Sequence, residues 1–300
     1  MTLSVRLMSY NHSAYIDAAL HSINIQKTNF EFEIVIGDDF SLDDTLEKIK
    51  NFKFTNPNIK VNILERVLGD EYSIQRQNRG RLYNFIDIIA NCQGKYIALL
   101  DGDDYWTDPL KLQKQVDFLD ANSDYVMCTH VTEEKNEIMN TSVVFPKIEN
   151  DTTKHIEDYI INNLTATCSL MFKAEYLDPM PDWFNKIKFG DLGLMLMFFY
   201  RSNKKMMVLK NCMAVYRINS GSIHGSLKKN KASLIKAYKM HLDFIDTINN
   251  ELFLKKDFQK NVIRKKIDTH SILADLYKNT SFINYCKHLF IRILLTRFKC

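Results

Sequence analysis

The chain has 300 residues, 46% hydrophobic and 25% charged, enough apolar material for a sizeable core and too much for wholesale disorder. Its 9 glycines and 5 prolines exclude collagen-like or Pro-rich segments, and no window of about 18 apolar residues marks a membrane-spanning helix. The net charge of +4 conceals an asymmetry: residues 1–200 hold 19 Lys+Arg against 30 Asp+Glu, and residues 201–300 hold 21 against 6. A basic C-terminal third points to an anionic surface or ligand, or simply to a solvated lysine-rich helical face. The six cysteines show no CxxC or zinc spacing. The N-terminus enters a strand pattern at once, without the basic start and apolar run of an export signal, so reduced thiols in a cytoplasmic protein are expected.

Leu3 to Met8 reads as a first strand, closed by Ser9-Tyr10-Asn11. Ser13 is a candidate N-cap for a helix whose apolar face is Ile16, Ala19, Leu20 and Ile23. Phe32 to Ile36 is a second strand, ending in Gly37-Asp38-Asp39. Ser41 with Asp44 resembles a capping box for a helix burying Leu42, Leu46 and Ile49. Ile59 to Leu64 is a third strand, and a helix with Leu82, Phe85, Ile86 and Ile89 on one face follows Gly80. The unbroken apolar run Tyr96 to Leu100 is a strand buried on both sides. A helix after Pro109, turning Leu112, Val116 and Leu119 inward, precedes a strand at Tyr125 to Val131. Residues Glu133 to Thr153 are polar and aperiodic and read as a loop or lid. Cys168 to Phe172 looks like a strand, Leu192 to Tyr200 a deeply buried helix, and Met206 to Ile218 a strand or hairpin. From about residue 228 the pattern is helical and basic.

Strands thus alternate with helices through Leu100, the rhythm of βαβ units and a mainly parallel sheet. The strand at Tyr96 stops in Asp101, Gly102, Asp103 and Asp104, carboxylates that are costly to bury together without a cation. Hard cations such as Mg²⁺ or Mn²⁺ take oxygen ligands, and ligands in open α/β sheets bind beyond the carboxyl ends of strands. Ser9-Tyr10-Asn11, Asp38-Asp39 and Asp101-Gly102-Asp103 would share that rim. Neither G-x-G-x-x-G at the first turn nor a P-loop motif is present.

Five stretches carry a resemblance: S-Y-N-H-S-A-Y-I from Ser9, E-I-V-I-G-D-D-F-S-L-D-D-T from Glu33, N-R-G-R from Asn78, G-K-Y-I-A-L-L-D-G-D-D-Y-W from Gly94, and Y-R-I-N-S-G-S-I from Tyr216. In this order they resemble the family 2 glycosyltransferases, inverting nucleotide-sugar-dependent enzymes of GT-A fold common in bacterial surface-polysaccharide assembly. The resemblance implies an α/β, Rossmann-like domain over residues 1–225 and leaves residues 226–300 as a basic helical extension. It implies that Asp103 ligates the metal (Mn²⁺ or Mg²⁺) on the nucleotide diphosphate, with Asp101 on ribose or metal-bound water. Asp39 matches the acid that binds uracil or ribose. Ser9, Tyr10 and Asn11 lie where the base is cradled, and Arg79 or Arg81 where a basic residue meets the nucleotide. Asp191 is the match to the catalytic base, although a single Asp after Gly190 replaces the usual acidic pair; capping of the helix at Leu192 is its plain alternative. His224, after the Y-R motif, corresponds to a further metal or diphosphate contact, or is a surface histidine. Arg76 reads as a solvated surface residue.

The implied partners are a nucleotide sugar, a UDP-sugar first, and a glycan or lipid-linked acceptor. No zinc-finger or ribonucleoprotein motif supports nucleic-acid binding. Phe282, Ile283, Leu289, Phe290, Ile293 and Leu294 interleave with Lys287, Arg292, Arg297 and Lys299, a pattern that suits an anionic inner membrane face, packing on the catalytic domain or self-association. Two other functions compete: a non-catalytic nucleotide-sugar or glycan-binding module, and a haloacid-dehalogenase-like phosphohydrolase. The latter needs D-x-D-x-[TV], whereas Tyr105 stands at the last position.

Overall fold

The computed structural model describes residues 1–219, 230–252 and 258–297. Its first half is built from β1 (Leu3–Ser9), α1 (Ile16–Asn24), β2 (Phe32–Asp38), α2 (Thr45–Asn51), β3 (Ile59–Ile63), α3 (Glu71–Arg79), α4 (Leu82–Ala90), β4 (Tyr96–Asp101), β5 (Tyr105–Trp106) and α5 (Lys111–Ala121). The second half holds β6 (Tyr125–Asn136), β7 (Thr141–Phe145), β8 (Thr152–Lys154), α6 (Ile156–Ile161), β9 (Met171–Lys173), α7 (Gly190–Ser202) and β10 (Lys205–Ile218). Among the described residues the helices α8 (Lys231–Glu251), α9 (Gln259–Tyr277) and α10 (Phe282–Arg297) follow.

The strands form one sheet in the order β3-β2-β1-β4-β9-β6-β10-β5, with β7 on β6 and β8 on β10. The run β3-β2-β1-β4 is parallel, β9 is antiparallel to both its neighbours, and β10 runs parallel to β6. Strand alternation explains the unbroken apolar run of β4. Ile97 and Leu99 enter a core with residues of α4, α6 and α7, while Tyr96, Ala98 and Leu100 enter the opposite core with α1 and α5. Phe244, Ile245 and Ile248 of α8 and Val262 of α9 join the first core, so these two basic helices pack on the sheet domain. Lys265 Nζ also donates to the Ile161 carbonyl at 2.6 Å.

Several local expectations need correction. Ser13 does not cap α1: its N–H donates to Asp43 Oδ2 at 3.1 Å, and the N-cap position is Tyr15. Ser41 makes no capping box, because its hydroxyl turns back to Asp38 Oδ1 at 2.6 Å; α2 begins at Thr45 and Leu42 is exposed. The stretch Glu133–Thr153 is not an open loop. β6 continues to Asn136 and pairs antiparallel with β7, a ribbon held by backbone bonds while its side chains meet water, which is why it lacks apolar alternation. Cys168–Phe172 is only partly strand. Trp106 Nε1–H takes the Cys168 carbonyl at 2.8 Å and Gln115 Nε2 takes that of Ser169 at 2.9 Å, leaving a single turn over Thr167–Ser169 before β9. Helix α3 is polar and lacks an apolar stripe; it starts on Asp70, whose carboxylate accepts from Ser73 N at 2.7 Å.

Candidate active site

The carboxyl ends of β1, β2 and β4 lie side by side. Ser9 pairs with Asp38 and Met8 with Asp101, and Asp39 N–H donates to the Ser9 carbonyl at 2.9 Å. Of the three residues closing β1, two hold the rim together. Ser9 Oγ donates to Asp38 Oδ1 at 2.8 Å, and Asn11, at φ 53°, accepts from Leu42 N through Oδ1 at 2.8 Å. Tyr10 is left exposed.

Asp39 is buried and doubly engaged. Tyr72 Oη donates to Oδ1 at 2.7 Å, and Arg76 approaches Oδ2 with Nε at 2.9 Å and Nη2 at 2.8 Å. Arg76 is therefore not an idle surface residue: α3 brings it over the end of β2. Behind Tyr72, Arg66 lies 3.6 Å from the ring centroid and binds Asp87, Asn84 and the Asp38 carbonyl. Burial and the neighbouring Asp39 raise the Tyr72 phenol well above its ordinary range, so it serves as a donor.

Asp101 is held from beneath by Arg6 of β1, whose Nη1 reaches Oδ1 at 2.5 Å. Arg6 is 0% exposed, and its Nε and Nη2 have no hydrogen-bond partner among the described residues. Its guanidinium lies 4.7 Å from the Phe85 centroid. Gly102 then lets the chain turn under His12: a Cβ there would stand 2.8 Å from His12 Nδ1. Asp103 Oδ2 lies 3.4 Å from Asn219 Nδ2 and 3.9 Å from His12 Nε2. Burial raises the Asp103 carboxyl, His12 opposes that shift and Asp101 adds to it. Asp104 points the other way. It is buried, accepts from Arg217 N at 2.8 Å, and is pushed far up by burial and by Asp103. Arg217 also fastens the loop, donating from Nη1 to the Asp103 carbonyl at 2.8 Å with the Tyr105 ring 4.4 Å away.

Asp191, in the first turn of α7, lies within electrostatic reach of Asp101. The N-cap position belongs to Phe189, which makes no side-chain cap. The Asp191 carboxylate instead accepts from Thr167 Oγ1 at 2.9 Å and from Leu192 N at 2.8 Å. Burial raises its pKa above the ordinary carboxylate value, the two hydrogen bonds pull against that shift, and the charge of Asp101 adds to it. Tyr216 senses both sides of the site. Its phenol is driven far up by burial and then by Asp104, Asp103, Asp191 and Asp101 together. Arg81 feels the Asp191 charge while Nη2 donates to the Lys188 carbonyl at 2.8 Å. Arg79 projects to solvent, its guanidinium 5.5 Å from the Tyr83 centroid. His224 lies outside the described residues.

Asp39, Asp101 and Asp103 thus gather at one edge of the sheet with Asp191 within electrostatic reach. A shallow depression of about 500 Å³ lined by Met1, Thr2, Glu31, Lys60, Lys95 and Asp120 lies at the opposite ends of the strands, where its charges are paired with one another. Among the described residues no group of three or more His, Cys, Asp or Glu side chains is disposed to hold a cation unaided. The donors at the loop nonetheless suit a hard cation. Asp103 is a partly buried carboxylate beside a second carboxylate, with no full cationic partner among the described residues, and burial, with the charge of Asp101 adding to it, raises its pKa, both of which a bound cation would offset.

Sequence reasoning missed Arg6, His12, Tyr72, Arg76 and Thr167. A signal existed for Arg6, a lone charge inside the apolar strand L-S-V-R-L-M. None existed for Thr167, which is brought to Asp191 only by the turn before β9.

The sequence pattern described as glycosyl transferase family 2 matches residues 4–176. An uncharacterized protein of Mycobacterium tuberculosis (strain H37Rv) is 30% identical over 228 residues, 74% of this chain and 60% of that protein's own length. A putative teichuronic acid biosynthesis glycosyltransferase, TuaG of Bacillus subtilis, is 31% identical over 117 residues, 39% of this chain and 41% of TuaG. The GalNAc(5)-diNAcBac-PP-undecaprenol beta-1,3-glucosyltransferase of Campylobacter jejuni is 23% identical over 97% of this chain and 89% of its own. Among solved structures, S. aureus TarS 1-349 in complex with UDP superposes with a TM-score of 0.55 at 16% identity, covering 98% of this chain and 87% of that one. The mannosyltransferase PcManGT from Pyrobaculum calidifontis, in complex with GDP-Man and Mn2+, gives 0.56 at 13% identity over 99% and 86%. These likenesses carry the fold, and the fold is of the GT-A type. With more than half of the chain matched by the family's pattern and the acids of its motifs gathered at one rim, this protein belongs to glycosyl transferase family 2.

Proposed function

We propose that the protein transfers a sugar from a nucleotide diphospho-sugar, a UDP-sugar, to a glycan or lipid-linked acceptor of a surface polysaccharide, with inversion at the anomeric carbon. The observation that carries this reading is the gathering of Asp38-Asp39 and Asp101-Gly102-Asp103 at the carboxyl ends of neighbouring parallel strands, with the solitary Asp191, held by Thr167 and Leu192 N–H, within electrostatic reach of Asp101. TarS binds UDP and UDP-GlcNAc, and PcManGT binds GDP-Man with Mn2+, which supports a nucleotide-sugar donor and a divalent cation here.

In this reading Asp39, steadied by Arg76 and Tyr72, receives the base or ribose of the donor, with Tyr10 as a platform beside it. Ser9 and Asn11 line the nucleotide side of that rim, their side chains held by Asp38 Oδ1 and by Leu42 N–H. Asp103 and Asp101 would hold Mn²⁺ or Mg²⁺. When bound, the ion supplies positive charge against the departing nucleoside diphosphate. Arg6 fixes the Asp101 carboxylate, and Arg217 fixes the carbonyl of Asp103. Arg81 faces the donor from the Asp191 side, and Arg79 remains available to the nucleotide at the surface. His224 is a candidate for a further diphosphate or metal contact.

Asp191 takes the proton of the acceptor hydroxyl as that oxygen bonds to the anomeric carbon. The bond to the diphosphate oxygen breaks on the opposite side, and its electron pair leaves with the nucleoside diphosphate. Burial supports this role by raising the basicity of Asp191, and Thr167 and Leu192 N–H aim the carboxylate. Residues 1–225 act as the donor-binding and catalytic unit, and residues 226–300 extend it with basic helices. The work is done at the cytoplasmic face of the membrane, with the extension against it, where a lipid-linked acceptor is found.

A screen of nucleotide sugars for slow hydrolysis, with Mn²⁺, with Mg²⁺ and with a chelator, tests the proposal. Metal-dependent release of UDP from a UDP-sugar is expected. Tight UDP binding without turnover of any donor, with or without acceptor glycans, would instead point to a binding module.

A further inference from the structure

We propose that the outward face of α10 docks on an anionic phospholipid bilayer and seats the enzyme parallel to the membrane plane. Among the described residues the helix packs chiefly against α9, through the side that carries His288. There His288 is buried, shares a 2.8 Å Nδ1–Nδ1 hydrogen bond with His270, and stacks on Tyr277 at 5.6 Å between centroids. The opposite side presents Ile283, Phe290 and Leu294 at helical spacing, with Ile293 next to them and Phe282 at the start. Ile283 is 80% exposed and Phe290 60% exposed. A soluble surface seldom leaves a run of large apolar side chains in water unless something covers it.

Charge decides what covers it. The segment Phe282–Arg297 contains Lys287, Arg292 and Arg297 and no acidic residue. By helical spacing Lys287 and Arg297 flank the apolar stripe. A second copy meeting this face would set these cations against their own counterparts. Lipid phosphates complement them, and the hydrocarbon beneath accepts the apolar stripe. Among the described residues no helix is long and apolar enough to cross a membrane, so α10 would lie on the surface. At 1.5 Å per residue, its 16 residues span about 24 Å of that surface. The proposal deepens the peripheral placement suggested above, but the exposed stripe and its charges are independent of the chemistry at Asp191.

The test is flotation of the full chain with vesicles of equal parts phosphatidylglycerol and phosphatidylcholine, against vesicles of phosphatidylcholine alone. Binding to the anionic vesicles is expected, weakening with salt. Ile283→Glu and Phe290→Glu should each lower the partition coefficient about tenfold or more. Lys287→Glu should lower it by about fivefold or more through charge. All three sites face solvent, so thermal melting should match that of the parent. The proposal is overturned if the parent ignores anionic vesicles, or if the glutamate substitutions leave flotation unchanged. It is also overturned if sedimentation shows a dimer that Phe290→Glu splits while lipid binding stays absent, which would assign the face to a second copy. Hydrolysis of a soluble nucleotide sugar, measured on the same samples, should be the same in parent and variants. Flotation without hydrolysis in the parent would remove the transferase reading and leave the surface standing; hydrolysis without flotation would do the reverse.

Discussion

Consider Arg6→Met, a substitution at a residue that touches no solvent. Arg6 is wholly buried on β1, holds Asp101 through one nitrogen, and leaves its other two nitrogens without hydrogen bonds. Methionine fills much of the same volume but strands the Asp101 carboxylate. Breaking a fully buried pair costs about 3–5 kcal/mol. The Asp101 side chain keeps 24% of its exposure, so water recovers part of that, and a loss of about 2–4 kcal/mol is expected at neutral pH. Asp101→Asn alone should cost at least as much, because it strands a guanidinium with no access to water. The double variant carries neither charge and should return to within about 1 kcal/mol of the parent, so the two single losses should fall far from additive, by about 3–7 kcal/mol. Urea denaturation of the four proteins, compared by midpoint at constant slope, measures this directly. If Arg6→Met is as stable as the parent, or if the two single losses simply add, the pair is not the electrostatic floor of the site.

Three further outcomes follow from the geometry. Thr167→Val removes a donor that lowers the Asp191 pKa, so the acid limb of the pH–rate profile should move to higher pH, with little change in donor KM. A purely structural role would lower activity without moving that limb. Arg76→Ala frees one side of Asp39 and should weaken UDP affinity by about tenfold in titration calorimetry, in line with about 1.5–3 kcal/mol for a hydrogen bond to a charged group. The His270–His288 pair should make the docking of α10 acid-sensitive. Burial lowers both pKa values, His288 to about 4, and a shared Nδ1–Nδ1 bond needs one of the two nitrogens bare. Both groups therefore bind protons more readily when unfolded, so their contribution is present above the ordinary histidine value and fades as pH falls towards 4. Denaturation of parent and His288→Phe between neutral and acid pH should show a shallower decline for the variant; equal slopes would remove the pair as the cause.

The sheet and its acid rim were legible because their signals are local. The apolar strands of β1, β2 and β4 each stop at polar residues, and a parallel arrangement brings such ends together without any knowledge of loops. What escaped was set by contacts distant in sequence. Arg76 looked like solvent-facing surface because nothing within α3 reveals that it lands on Asp39, 37 residues earlier. Thr167 sits in a turn made by Trp106 and Gln115 taking neighbouring carbonyls, a tertiary cause that no periodicity records. The β6–β7 ribbon gives no apolar periodicity, since its backbone pairs while its side chains remain wet. Motif order singles out Asp191, and only the fold names its partners, Thr167 and Leu192 N–H.

The most direct measurement compares UDP release from a UDP-sugar by the parent and by Asp191→Asn, in Mn²⁺, with UDP binding followed in parallel by calorimetry. The account predicts a rate about 10²–10⁴-fold lower in the variant, with UDP bound as tightly as before. Turnover that survives the substitution, or falls only as far as UDP binding falls, would contradict the assignment of Asp191 as the base.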